Sequence, residues 1–258
     1  MKLHLAGLFI AMASITAAAQ AADCPRPGTL GTSRVLTVTA ATTPRVGLKS
    51  FPDTLPLRDH EVVLTFDDGP WPPTTSQVAA ALRRECVHAT FFLIGKHASE
   101  HPELVRKLAA EGHSIGHHTW SHRDLKRIKP AEAVQEIDRG ISAVEMAMHR
   151  IATTNPSTPF FRFPGFESTA STLDLLQARG IVVFGADFWA SDWNRMTPQQ
   201  ELTLITDRLK AAGKGIILFH DTKAQTAAML PAFLRYLREN DYHVVHAVPA
   251  ATVADKAR

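Results

Sequence analysis

The sequence predicts an α/β fold: a (β/α) barrel, complete or partial, of about seven parallel strands behind an irregular N-terminal arm. Three observations predict it. From residue 60 onward, short apolar or β-branched runs alternate with longer stretches of helical periodicity, seven times over. Each connection is long enough to hold a helix, so successive strands run parallel through right-handed crossovers. Ionisable residues then recur at the carboxyl ends of five of the runs, and in a barrel those ends share one rim. An open doubly wound sheet accounts for that recurrence less well.

The first strand is Val62 to Phe66, an apolar run that stops at Asp67-Asp68-Gly69-Pro70. A helix follows over about Thr75 to Arg84, with Val78, Ala81 and Leu82 on one face. The second strand is Ala89 to Ile94, and its helix runs from about Pro102 to Glu111. The third strand is short, near Ser114-Ile115-Gly116. The long helix from Pro130 to Arg150 has Val134, Ile137, Ile141, Val144 and Met148 at gaps of three and four, a clear buried stripe. The fourth strand is Phe160 to Phe163, followed by a helix from Thr169 to Arg179 that Gly180 ends. Ile181 to Gly185 is the fifth strand. The helix after it, Pro198 to Ala212, opens on proline and closes on Gly213. Gly215 to Phe219, a helix from Thr222 to Glu239 and Tyr242 to His246 complete the series, with a weaker helix expected beyond.

The N-terminal segment has a different texture. Lys2 and His4 precede an apolar run from Leu5 to Ile15, and Ala19-Gln20-Ala21 fits a small-x-small cleavage pattern. Residues 1–21 are therefore read as a signal peptide, and the protein as exported, periplasmic or secreted. The run is too short to span a bilayer, so no stable membrane insertion is expected. Residues 22–59 are rich in Thr, Pro, Gly and Arg and form an arm, leaving 60–258 as the main domain; Leu36 to Thr39 suits a short strand. Cys24 and Cys86 are the chain's two cysteines, and in an oxidising compartment they could pair. Composition is ordinary for a globular protein, 45% hydrophobic and 21% charged. The formal net charge of +3 is small and dispersed, too weak to argue for nucleic acid, and no nucleic-acid partner is expected. Oligomeric state is not legible.

Five stretches hold the chemistry. Asp67 and Asp68 are adjacent acids at the end of a buried strand; each raises the cost of ionising the other, and a metal ion or a catalytic arrangement offsets that cost. A capped turn is the plain alternative. Gly112 to His122 contains four of the 13 histidines. His118 and His122 are four apart, so one helical turn would aim both rings alike, although Trp120 and its small neighbours favour a packed loop. Two imidazoles, a carboxylate such as Asp68 and an open position match a catalytic zinc site. His113 and His117 read as structural groups. Arg162 lies inside an apolar run and needs an anionic partner, for which Asp67 is placed; otherwise it snorkels to solvent. Asp187-Phe188-Trp189-Ala190-Ser191-Asp192-Trp193 mixes aromatics and acids, which suits sugar binding or core packing. His220 ends a buried strand, and a carboxylate such as Asp192 in reach would raise its pKa and fit it for general acid work.

With these stretches in view, the chain resembles the polysaccharide deacetylase family, the NodB-homology domain of carbohydrate esterase family four. The likeness runs over about residues 60 to 248, and Thr65 to Gly69 with His118-Thr119-Trp120-Ser121-His122 carry most of it. The resemblance implies a distorted (β/α) barrel. It implies that Asp67 is the catalytic base and that Asp68, His118 and His122 bind a divalent metal, usually zinc. It further implies that Arg162 orients Asp67, that Asp192 tunes the catalytic acid His220, and that Trp193 and Leu218 receive the acetyl methyl. A backbone amide at Gly165 would help hold the oxyanion. Three departures stand out. Gly165 occupies a place where the family usually has an aromatic, implying a lost pocket wall, with Phe166 next; Trp189 stands where an Asp is usual, with Asp187 two residues earlier; and His117 replaces a common Asn.

The function implied is metal-dependent removal of N-acetyl groups from amino sugars in an acetylated glycan: chitin oligomers, peptidoglycan or poly-N-acetylglucosamine. An O-acetyl esterase acting on xylan-like glycans and a non-catalytic glycan-binding module are the alternatives. A glycosidase is disfavoured, because neighbouring acids cannot flank a scissile bond from opposite faces. No Gly-x-Ser-x-Gly elbow exists for a serine hydrolase.

Overall fold

The computed structural model describes residues 26–250. Residues 1–21, read as a signal peptide, Cys24 and any helix after the last strand lie outside the described residues. Cys86 is disulfide-bonded, and Cys24 is the chain's other cysteine.

In chain order the strands are β1 (Thr32–Val38), β2 (Arg45–Val46), β3 (Glu61–Asp67), β4 (Thr90–Leu93), β5 (Ser114–His117), β6 (Phe160–Phe161), β7 (Val182–Phe184), β8 (Phe188–Trp189), β9 (Gly215–His220) and β10 (His243–Pro249). The helices are α1 (Thr74–Arg84), α2 (Gly95–Glu100), α3 (Pro102–Ala110), α4 (Pro130–His149), α5 (Ala170–Ala178), α6 (Pro198–Ala212) and α7 (Ala224–Glu239). All seven expected strands form. The arm adds β1 and β2, and the Phe188-Trp189 pair adds β8. Every ladder is parallel.

The wall of the barrel runs β9-β3-β4-β5-β6-β7. Period-two alternation sorts its side chains. Val63, Phe92, Phe160, Val182, Phe184 and Ile216 fill the interior. Val62, Leu64, Phe66, Phe91, Ile217 and Phe219 face the helices. No ladder joins β7 to β9. β8, which continues the chain from β7, pairs with β9 across that seam, and the arm backs it: β2 pairs with β7, and Asp187 accepts from the Leu48 amide, the Thr54 hydroxyl and the Ile216 amide at 2.9, 2.8 and 2.7 Å. The barrel thus closes through a two-residue strand with the arm behind it, which leaves it distorted at that side.

The last strand departs from expectation. β10 pairs with β3 only at His243 and Val244, then runs beside β1 for most of its length. Its Val245 and Ala247 join Val38 in the inner core, and the Ala247 carbonyl accepts from Ser114 Oγ at 2.8 Å. β10 and β1 thus floor the barrel at its amino end. The helices follow ordinary rules. In α6 the Thr197 hydroxyl accepts from the Gln200 amide in a capping box, Pro198 opens the helix, and Gly213 ends it at φ 73°. In α4 Ile137, Ile141 and Val144 are buried as the stripe requires, whereas Val134 and Met148 are half-buried. Two further buried positions of that helix, Glu136 and Gly140, serve the site.

Candidate active site

Each functional side chain is delivered by the end of one wall strand. β3 presents Asp67 and then Asp68, where φ turns to 77°. β5 is followed by an irregular loop, with Thr119 at φ 63° and His122 at φ 60°. His118 and His122 therefore converge through a loop and not through one helical turn. The loop is clamped. α2 donates Gly95 and Lys96 amides to the Thr119 and Trp120 carbonyls, and Glu136 accepts from the Ser121 amide and hydroxyl, both at 2.9 Å. Gly140 lets α4 approach, since a Cβ there would stand 2.4 Å from the Thr119 carbonyl carbon. The Arg139 guanidinium covers the Trp120 ring at 3.6 Å.

The Nε2 atoms of His118 and His122 lie 3.5 and 3.3 Å from Asp68 Oδ1, and the three candidate ligand atoms all fall within 4.8 Å of one another. Asp68 Oδ1 is buried without a hydrogen-bond donor. That orphaned acceptor between two imidazole nitrogens fits a divalent cation, and an N₂O donor set with an open side fits zinc. His118 Nδ1 donates to the Arg162 carbonyl at 2.7 Å, which fixes the tautomer that aims the Nε2 lone pair at Asp68. Burial, with His122 adding, pushes the His118 imidazole down to about 3, so it stands neutral as a ligand must.

Asp67 is buried against Arg162, whose Nη1 donates to Asp67 Oδ1 at 2.7 Å and to Thr65 Oγ1 at 2.8 Å. Arg162 Nε and Nη2 donate to the Phe184 and Gly185 carbonyls, and the guanidinium lies over Phe92 at 4.3 Å. It is fully enclosed and does not snorkel. Burial raises the Asp67 carboxyl pKa on balance, although the Arg162 charge pulls against it. Across the pocket His220 Nδ1 lies 2.7 Å from Asp192 Oδ1, and the His220 amide donates to Asp192 Oδ2. Thr226 steadies that same oxygen at 2.8 Å. Burial lowers the His220 pKa, but the bond to Asp192 and the charges of Asp192, Asp68 and Asp67 together raise it to about 9.

Asp67, Asp68, His118, His122, Gly165, Trp193, Leu218 and His220 surround one pocket of about 400 Å³. Arg162 and Asp192 sit behind it, reaching it through Asp67 and His220. Asp187 is not there; it is spent on the arm seam. His117 points outward beneath α4, 3.8 Å from Glu145, as a structural residue. His113 is buried near the floor. The pocket wall expected to be missing at Gly165 is rebuilt. Gly165 takes φ 57° and Phe166 φ 62°, and Phe166 stacks on Trp189 at 5.9 Å. Trp189 and Trp193 continue that wall at 5.8 Å, and Trp193 meets the edge of His220 at 5.9 Å.

One residue escaped the sequence reading. Asp221, fully buried, accepts from the Gly69 amide at 3.0 Å and from the Thr75 hydroxyl. It holds the turn that presents Asp68. A Cβ on Gly69 would come within 2.1 Å of its carboxylate, which accounts for glycine there. The only sequence signal was an acid directly after His220.

Residues 55–184 match the family of polysaccharide deacetylases. A chitooligosaccharide deacetylase of a Bradyrhizobium species is 32% identical over 63% of this chain and 71% of its own length. A peptidoglycan-N-acetylglucosamine deacetylase of Bacillus cereus is 32% identical over 69% of this chain and 66% of its own. The solved peptidoglycan deacetylase of Bdellovibrio bacteriovorus superposes with a TM-score of 0.76 at 27% identity, over 91% of this chain and 65% of that one. With motif spacing, strand-end geometry and barrel in agreement, the chain belongs to the polysaccharide deacetylase family.

Proposed function

We propose that the protein is an exported, zinc-dependent enzyme that removes N-acetyl groups from amino sugars within a glycan chain. Its family makes it a hydrolase of carbon–nitrogen bonds other than peptide bonds. The observation that carries the reading is the convergence of Asp68, His118 and His122 on one point, flanked by the Asp67–Arg162 and His220–Asp192 pairs.

When bound, the divalent metal supplies Lewis acidity toward the acetyl carbonyl and lowers the pKa of water. Asp67 takes a proton from the attacking water, with Arg162 holding it ionised and aimed. Backbone N–H at Gly165 is assigned to the developing oxyanion. His220 gives its Nε2 proton to the departing amine, because an amine anion leaves poorly; Asp192 on Nδ1 keeps the ring oriented and charged. A C–O bond forms, the C–N bond breaks, and acetate and a free amino sugar leave. Leu218 and Trp193 form the slot for the acetyl methyl. The intact set of acid, base and ligands weighs against a binding module without catalysis.

An acetate-release assay on the zinc-loaded protein tests this, with chitin oligomers, peptidoglycan, poly-N-acetylglucosamine and acetylated xylan as substrates. Release from an N-acetylated glycan, lost on chelation and restored by zinc, is expected. Release from xylan alone, or release indifferent to chelators, overturns it.

A further inference from the structure

A second cavity, about 510 Å³, opens between the arm and α6. Leu48, Lys49 and Thr54 line it from the arm, with Trp189, Arg208 and Lys214 opposite. Trp189 also walls the catalytic pocket, so one indole separates the two spaces. A glycan lying across that indole would put one residue in the catalytic pocket and its neighbour over the arm.

The charges there are unevenly matched. Lys49 Nζ stands 5.5 Å from the centre of the Trp189 ring, and among the described residues it has no carboxylate partner. Arg208 uses Nη1 to hold the Trp189 carbonyl and Ser191 Oγ, which stiffens the indole's backbone and brings a second cation to the cleft. Lys214 is engaged by Asp59 at 3.3 Å and by the Leu57 carbonyl, so it adds little. The one acid lining the cleft is Asp187, and both its oxygens are occupied by Leu48, Thr54 and Ile216.

The position of Lys49 is built. Its amide donates to the Ala186 carbonyl at 2.9 Å. Two residues earlier, Gly47 at φ 111° packs so closely that a Cβ would stand 2.5 Å from the Ala186 amide nitrogen. A loop seated that firmly fixes the Lys49 backbone beside the shared indole. Nothing in acetyl hydrolysis uses this lysine. A neutral chain of N-acetylglucosamine offers it no partner, whereas a carboxylate-bearing sugar does.

We propose that this cleft is a binding subsite for a carboxylate on the sugar next to the one deacetylated, with Lys49 as its ion-pairing group and Trp189 as the shared platform. The proposal rests on the glycan reading above and narrows it to acidic glycans of the peptidoglycan kind. The carboxylate could come from the lactyl ether of a muramic residue or from its stem peptide.

Calorimetry on the full chain, without turnover, tests it. The probes are chitotetraose and a tetrasaccharide alternating N-acetylglucosamine with N-acetylmuramic acid, the latter with and without stem peptide. The acidic probes are expected to bind about tenfold tighter than the neutral one, a gap that narrows in high salt. Lys49→Glu should erase the gap, and Lys49→Arg should keep it. A gap only with stem peptide assigns the carboxylate to the peptide; a gap without it assigns the lactyl group. Equal binding of neutral and acidic probes overturns the proposal, as does a gap that survives Lys49→Glu. Because binding is read apart from acetate release, an inactive protein that keeps the preference would refute the hydrolysis and leave the subsite standing.

Discussion

Two groups of three histidines sit at opposite ends of the barrel. His118, His122 and His220 occupy the carboxyl rim, and His88, His113 and His246 occupy the floor. Burial alone does not tell them apart: it pushes His113 down to about 3, just as it does His118. The difference is in the neighbours. At the rim, Asp68 and Asp192 face the imidazoles within 3.5 Å. On the floor, the rings face one another at 6.1 and 5.4 Å and a serine hydroxyl, and His113 Nε2 has no partner. The floor histidines pack against one another without a carboxylate, whereas those at the rim face carboxylates across an open pocket.

Four experiments bear on that contrast. The largest effect is expected from Asp67→Asn, which should lower kcat by roughly 10³-fold while zinc content by elemental analysis stays at one per chain. Near-normal turnover would remove Asp67 from its role. Arg162→Met strands a buried carboxylate, and should cost about 3 kcal/mol or more in urea unfolding. A negligible loss would mean that the pair is not needed for folding. Asp192→Asn removes the main support of a charged His220. The raised pKa of His220, about 9, keeps the imidazole protonated through neutral pH. The variant should therefore move the alkaline limb of the rate profile down by at least one pH unit, and an unmoved limb would dissociate Asp192 from the acid. The smallest effect belongs to the floor. There the folded pKa is depressed, so the unfolded chain takes protons first and stability falls as pH drops below about 6.5. His220, with its raised value, has the opposite sign: its contribution is full below about 6.5 and is lost as pH rises through 9. His113→Asn keeps an acceptor for the Ala89 amide and should remove about 1 kcal/mol of the acid-side loss at pH 5.5. An unchanged slope would place the acid sensitivity elsewhere.

Much of this was legible in the chain. Strand runs such as Val62 to Phe66 and Ile216 to Phe219 are apolar on both faces because both faces are covered, and their ends mark the rim. The pairings of Arg162 with Asp67 and of His220 with Asp192 could be read because a charge inside an apolar run demands a partner. What escaped has physical reasons. β2 and β8 are two residues each, too short to show a period. α2, Gly95–Glu100, has no apolar stripe. The floor position of β10 depends on its partner β1, far away in sequence. Phe166 regains the pocket only because Gly165 and Phe166 both take left-handed backbone, a turn that composition does not encode. Asp187 looked like a rim acid because it follows a strand, but the seam claims both its oxygens.

The β1–β10 ladder has a kinetic consequence. Ser33 Oγ donates to the Val244 carbonyl across 211 residues. During synthesis β1 emerges early, and its ladder must wait for residues 244–249 to follow. Loop closure over such a span is slow, so the base of the molecule should be sealed late. A cut in β10 would free β1 from its ladder while β2 and the Asp187 contacts still hold the rest of the arm.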